Sequence, residues 1–250
     1  MAGSFRHALV IGASSGIGEA LAHRLAADGA RVALVARRRA ELERVASAIN
    51  AAVGEERALV FVHDVRRHEE VPELFQEVAR SLGGLDLVVY AAGVQARVAF
   101  DEYDPAKDRE MLAVNLLGAV SWLDPAAERF GRLGRGTIVG LGSVAGDRGR
   151  SGNPAYNTSK AGLATFLEAL RNRVARRGVK VVTVKCGFVD TAMTAGMGGL
   201  FWLISADRAA RIILAKARRG AVVAYVPARW RPLMWVIRSI PSFLFRRLKV

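Results

Sequence analysis

The stretch HALVIGASSGIG (7–18) decides the fold. Its first half, HALVIG (7–12), is a short apolar run with no polar alternation, as a strand buried on both faces would be. It runs directly into Gly12, Gly16 and Gly18, and a helical pattern, GEALAHRLAADG (18–29), follows at once. Glycines at such a junction let the backbone turn tightly and approach a pyrophosphate, while the helix N-terminus supplies N–H donors and a positive dipole. The spacing is G-x-x-x-G-x-G rather than the commoner G-x-G-x-x-G, so its place between strand and helix carries the reading more than the glycines do. Gly12, Ser14, Ser15, Gly16, Ile17 and Gly18 form the candidate phosphate-binding set.

Six further runs read as buried strands: RVALVAR (31–37), ALVFVHDV (58–65), LDLVVYAA (85–92), GTIVGLGS (136–143), VKVVTVKC (179–186) and AVVAYVP (221–227). Helical patterns separate them, among them RAELERVASAINAAV (39–53), with Leu42, Val45, Ala46 and Ile49 at helical spacing. This alternation predicts an α/β fold: a Rossmann-type, doubly wound, seven-stranded parallel sheet with helices on both faces, in a single domain. The length of 250 residues suits one such domain, and no linker or repeat interrupts it.

The end of the second strand bears on cofactor choice. An acidic residue there would bind an adenosine ribose 2′-OH and select NAD. The chain has Ala36 followed by Arg37, Arg38 and Arg39. Arginine pairs with a 2′-phosphate instead, so NADP(H) is expected in preference to NAD(H), with Arg37 as the best single candidate.

Tyr156 and Lys160 open another helical pattern, four residues apart and therefore on one face. A phenol with an ordinary pKa near ~10 is a poor proton exchanger at neutral pH, and a neighbouring ammonium, helped by a positive cofactor ring, is expected to lower it. Tyr156 would then exchange a proton with a substrate oxygen. Ser143, at a strand end thirteen residues earlier, could hold that oxygen. Asn115 is polar within the apolar run MLAVNLLG and needs a partner. No metal ligand set is expected.

These residues resemble the classical short-chain dehydrogenases/reductases, over nearly the whole chain. Gly12, Gly16 and Gly18 match that family's cofactor loop, Asp64-Val65 its adenine-contacting pair, and Ala91-Ala92-Gly93 its sheet-stabilising motif, with departures. Asn115, Ser143, Tyr156 and Lys160 match its catalytic tetrad. The resemblance implies that Lys160 also binds the nicotinamide ribose and that Asn115 holds a water in a proton relay. It also implies that Val189 and Thr191 contact the nicotinamide amide, and that Ala92 and Gly93 lie against the cofactor. Three positions depart from the pattern: Ile11 for a threonine, Tyr90-Ala91 for a pair of asparagines, and Cys186 for the proline before Gly187. Tyr90 has no lysine partner and is not expected to be catalytic.

The substrate side is apolar. AMTAGMGGLFWLIS (192–205) is glycine-rich and carries Met193, Met197, Leu200, Phe201, Trp202 and Leu203. The resemblance makes it a lid, and its composition suggests a hydrophobic ketone or alcohol. Residues 1–228 are read as the dinucleotide-binding and catalytic domain, and 229–250 as a basic amphipathic tail divided by Pro232 and Pro241 into two short pieces.

Charge is concentrated near that end. The chain carries +14 formally, yet no acidic residue follows Asp207, against eleven basic ones. Two readings of the tail stay open: packing on the domain or a neighbouring subunit, and peripheral contact with a membrane surface. Nucleic acid has no recognition helix or stacking platform to support it. The tail is similar to that of the decaprenylphosphoryl-2-keto-ribose reductases, which ranks lipid-linked ketones first. A homodimer or homotetramer is expected from the family resemblance. No signal peptide or spanning run is legible, so a cytoplasmic protein, at most peripheral to a membrane, is expected. The lone Cys186 allows no intramolecular disulfide.

The expected activity is that of an NADPH-dependent carbonyl reductase, reversible as an alcohol dehydrogenase. Its rivals are a cofactor-sensing binding protein on the same fold, and an epimerase or dehydratase.

Overall fold

Along β1 (His7–Ile11) the side chains alternate between two cores. Ala8 and Val10 enter one, Leu9 and Ile11 the other, and all four are fully buried. From Ala8 to Ile11 the run lacks polar residues because neither face meets water. The computed structural model describes residues 4–248. Lys249 and Val250 of the expected tail, and the first three residues of the expected 1–228 domain, lie outside the described residues.

The chain continues through α1 (Gly16–Ala27), β2 (Arg31–Ala36), α2 (Arg39–Val53), β3 (Ala58–Val62), α3 (Val71–Leu82) and β4 (Leu87–Tyr90). Then come α4 (Pro105–Leu112), α5 (Gly118–Leu133), β5 (Gly136–Ser143), α6 (Pro154–Val174) and β6 (Val179–Cys186). The last elements are β7 (Val189–Asp190), β8 (Ile204–Ser205), α7 (Ala206–Arg219), β9 (Val223–Val226), α8 (Trp230–Ser239) and α9 (Ser242–Phe245). Seven strands form one parallel sheet in the order β3-β2-β1-β4-β5-β6-β9. This is the expected doubly wound sheet in a single domain. Helices α1, α2 and α7 cover one face, and α3, α5 and α6 the other.

The strand order turns at β1, with β2 on one side and β4 on the other. Crossovers leave that point in opposite directions, which opens a crevice at the carboxyl ends of the strands.

The tail differs from expectation in one respect. Pro232 does not divide it. It lies in the first turn of α8, where a missing N–H breaks no intrahelical bond. Pro241 does divide it, between α8 and α9. Among the described residues no helix is long and apolar enough to cross a membrane.

Candidate active site

Six strand ends converge on a cavity of about 490 Å³. The loop after β1 contributes Gly12, Ser14, Ser15, Gly16, Ile17 and Gly18; the ends of β2 and β3 contribute Arg37, Asp64 and Val65. Beyond β4 stand Ala92 and Gly93, at the end of β5 Ser143, and beyond β6 Val189 and Thr191. Tyr156 and Lys160 enter from α6. Of the site residues expected from the sequence, Asn115 alone stands behind this wall. Among the described residues no group of three or more His, Cys, Asp or Glu side chains is arranged to hold a metal ion.

The glycine loop is built for close approach. Gly12 has φ +90°, and a Cβ there would stand 2.6 Å from Ala92 Cα. A Cβ on Gly18 would meet the Gly12 carbonyl group, so helix and loop could not close together with a larger residue. Ser15 precedes α1 in extended conformation, yet its hydroxyl caps no helix N–H. Instead Arg38 Nη2 donates to Ser14 Oγ and Ser15 Oγ, each at 2.9 Å. The combination of tight loop, helix N-terminus, basic neighbour and buried lysine fits a dinucleotide phosphate and its riboses.

The Asp64 carboxylate is gripped by Arg66, with Nη2 at 2.5 Å and Nε at 3.0 and 3.1 Å. That grip, with Arg37 adding to it, holds its pKa down at about 2. Arg37 itself is exposed beside the cavity.

Tyr156 owes its place to the start of α6. Asn153 accepts a hydrogen bond from the Tyr156 N–H at 3.1 Å, and Pro154 occupies the first helical position. Tyr156 therefore sits in the first turn and Lys160 one turn later, both nearly fully buried. The Lys160 ammonium lies 5.8 Å from the centre of the Tyr156 ring and donates to the Leu141 carbonyl oxygen at 3.0 Å.

The electrostatics differ from the sequence expectation. The phenol of Tyr156 is not lowered. Burial pushes it up to about 12, while Ser143 and Arg150 pull the other way. Burial also lowers Lys160 to about 8. The physical reason is that both groups are desolvated together, and burial disfavours each charged form.

Ser143 ends β5 with its hydroxyl in two bonds: it accepts from Ala145 N–H at 3.1 Å and donates to Cys186 O at 3.3 Å. Asn115 finds the partners its buried position demands. It lies in a widened π-type turn, residues 113–117, between α4 and α5. Its Oδ1 accepts from Val94 N–H at 2.7 Å, and its Nδ2 donates to Val94 O at 2.9 Å and Ser159 Oγ at 3.0 Å. Tyr90 is fully buried and donates to Val114 O at 2.5 Å, away from any acid–base role.

The model of the short chain dehydrogenase family matches residues 6–198. The chain belongs to that family. An uncharacterized oxidoreductase of Mycobacterium tuberculosis is 30% identical over 241 residues, 96% of this chain and 95% of its own. Carbonyl reductase family member 4 of Xenopus tropicalis is 35% identical over 188 residues, 75% of this chain and 77% of its own. Among solved structures, a provisionally assigned short-chain alcohol dehydrogenase from Sinorhizobium meliloti 1021 is 36% identical, with a TM-score of 0.70. The match covers 77% of this chain and 76% of that one. As a short-chain dehydrogenase the chain is an oxidoreductase acting on CH–OH and C=O groups, and the family binds NAD(H) or NADP(H).

In this short-chain dehydrogenase the family match ends before β8. Residues 191–203 form an excursion whose ends are tied by pairing of β7 with β8. Its Phe201 and Trp202 pack on Trp230 of α8, at ring-centre distances of 5.0 and 5.4 Å. The far end of α8 is held by Arg148, whose Nη1 donates to Ile237 O, Arg238 O and Ile240 O. The same guanidinium lies 4.1 Å over the Phe245 ring. Next to Arg148, the buried Asp147 carboxylate accepts from Lys185 Nζ and from Tyr225 Oη, which fastens the β5–α6 loop to β6 and β9.

Sequence reading passed over several of these residues. The pair Asn153-Pro154 is a legible helix-start signal. Arg38 is one of three adjacent arginines, and nothing local marks it as the one that meets the serines. Arg150 and Trp230 act across the fold and leave no local signal.

Proposed function

We propose that the chain is an NADPH-dependent carbonyl reductase, reversible as an alcohol dehydrogenase, acting on a hydrophobic or lipid-linked ketone. One observation carries the reading: Ser143, Tyr156 and Lys160 share a single cavity with the glycine loop. The cofactor, when bound, supplies the hydride that the carbonyl carbon takes up. The glycine loop would hold its phosphates, Asp64 and Val65 the adenine side, and Val189, Thr191, Ala92 and Gly93 the nicotinamide side. Lys160 would also hold ribose.

The chain's own residues handle the proton. Ser143 orients the carbonyl oxygen by trading its long bond to Cys186 O for one to the substrate. With its pKa held at about 12, Tyr156 keeps its proton at neutral pH and can donate it from Oη to that oxygen. Ser143 and Arg150 then ease the charge left on Tyr156, and the Lys160 ammonium lies 5.8 Å from its ring centre. Asn115 supports the relay by holding the Val94 segment in place.

Arg37 and Arg38, with no acid at Ala36, support NADPH over NADH. The apolar excursion at 192–205, with Phe201 and Leu203 exposed, supports a hydrophobic substrate. The tail's likeness to that of the decaprenylphosphoryl-2-keto-ribose reductases puts lipid-linked ketones first. The protein is proposed to be cytoplasmic, to touch a membrane peripherally through its tail, and to self-associate as a homodimer or homotetramer.

The test is turnover of a ketone panel with NADPH. Tyr156→Phe is expected to lower kcat by ~10²–10⁴ with NADPH binding intact. Turnover that survives the substitution sinks the reading.

A further inference from the structure

The stretch after β6 carries residues of the candidate site but has Cys186-Gly187 where a proline could have stiffened it. Something else must hold it. Gly187 is backed by the indole of Trp230: a Cβ at Gly187 would stand 1.9 Å from its Nε1. Trp230 is 3% exposed, and its Nε1 has no hydrogen-bond partner among the described residues. Packing holds it, then, and not a polar bond. Phe188 meets the same indole edge-on, with ring centres 5.5 Å apart.

The contact reaches the cavity through a stiff turn. Thr194 Oγ1 donates to Val189 O at 2.8 Å and accepts from Thr191 N–H at 3.2 Å, so residues 189–194 move as one piece. Thr191 Cγ2 in turn faces Gly16 of the phosphate loop, 3.1 Å from where a Cβ would stand. The helix that bears Trp230 also packs, through Trp230 and Met234, with Val144, the residue after Ser143. One helix thus backs two of the loops that enter the candidate site.

We propose that Trp230 is a positioning residue: wedged against Gly187, it fixes where Val189 and Thr191 stand in the cavity and so sets the grip on the nicotinamide half of the cofactor. The proposal rests on the NADPH-dependent reading above. Its chemistry is steric. Removing the indole frees a glycine-containing backbone to shift toward the vacated space, and the segment beyond it shifts with it. The adenosine end, held by the loops after β2 and β3, is far from this contact in the sheet order and should not respond.

The test compares two ligands on the full chain: NADPH, and adenosine 2′,5′-bisphosphate, which carries the adenosine end alone. Trp230→Ala is expected to weaken NADPH binding about tenfold, a loss of ~1.4 kcal/mol, and to leave the bisphosphate unchanged. Trp230→Phe, which keeps an aromatic wedge and gives up only an unpartnered N–H, is expected to bind both as the wild type does. Should Trp230→Ala not fold, Trp230→Leu carries the comparison, with the same split expected. Equal weakening of both ligands, or of neither, overturns the proposal. A wild-type chain that binds neither ligand overturns the NADPH reading instead, so the two failures are told apart.

Discussion

The Lys160 ammonium donates to the Leu141 carbonyl oxygen at 3.0 Å while lying 5.8 Å from the centre of the Tyr156 ring. It is a buried cation, and burial holds its pKa at about 8 against 10.5 for a free lysine. In the unfolded chain the amine keeps its proton up to 10.5, so between pH 8 and 10.5 the unfolded state binds more protons than the folded one. Stability from this group therefore rises with pH across that window, and below it the burial penalty is felt in full. Tyr156 works in the opposite sense only above 10, where its phenol ionises in the unfolded chain and not in the folded one.

The consequence is measurable between pH 8 and 10 with Lys160→Met as the reference. Relative to that variant, the wild type is expected to gain about 2 kcal/mol over the interval, or roughly 4–8 °C in Tm for a chain of this size. Melting curves of the two proteins at matched pH read the difference directly. Parallel Tm curves would show that Lys160 titrates where a solvated lysine does.

Asn115 clamps Val94 from both sides, accepting from its N–H and donating to its C=O. Asn115→Leu keeps the volume and removes both bonds, leaving two backbone groups to find other partners. The expected loss is about 2–3 kcal/mol in urea unfolding, with faster hydrogen exchange at the Val94 amide. A loss below ~0.5 kcal/mol would mean that the 93–98 segment is held by something other than this side chain.

Arg38 reaches the loop serines and Arg37 does not. If the guanidinium of Arg38 is thereby held ready for a 2′-phosphate, Arg38→Ala should weaken NADPH by about 10–100-fold and leave NADH unchanged, the range expected for a hydrogen bond to a charged group. Arg37→Ala should have the smaller effect, because Arg37 makes no bond to the loop serines and has Asp64 nearby. Titrations of both variants with both cofactors decide it. The reverse order would return the role to Arg37 and leave Arg38 as a brace for Ser14 and Ser15.

Much of this architecture is legible in local sequence, for a physical reason. Strands buried on both faces must be apolar, as ALVI (8–11) and LVVY (87–90) are, and a loop that brings β1 against Ala92 must use glycine at Gly12. Tyr156 and Lys160 are legible because helical spacing alone puts them on one face. The direction of the Tyr156 pKa is not legible, since it depends on how completely the fold removes water from both groups. Nor is the pairing of Trp230 with Gly187, which lie on separate elements brought together only by the parallel pairing of β6 with β9. Pro232 misleads for a related reason: a proline breaks a helix interior but suits a first turn, and sequence alone does not say which position it occupies.

The tail offers the last test. Trp230 and Met234 of α8 are buried, but Trp235 is 72% exposed and Phe243 of α9 58%. Arg231, Arg238, Arg246 and Arg247 lie among these residues, with no acidic side chain after Asp207. Several acidic side chains of the body already pair with the chain's own arginines, as Asp207 does with Arg24 and Glu19 with Arg44. A second copy of this +14 chain is therefore a poorer electrostatic match than an anionic lipid surface. The full chain is expected to co-sediment with phosphatidylcholine vesicles that contain phosphatidylserine and not with phosphatidylcholine alone. Binding should collapse near 1 M salt, where screening shortens the reach of charge to ~3 Å. Replacing Trp235 and Phe243 by serine should abolish sedimentation without altering cofactor binding, since neither residue touches the cavity. Equal recovery on neutral vesicles, or sedimentation that survives the double substitution, would remove the membrane from the proposed function and leave the reductase chemistry untouched.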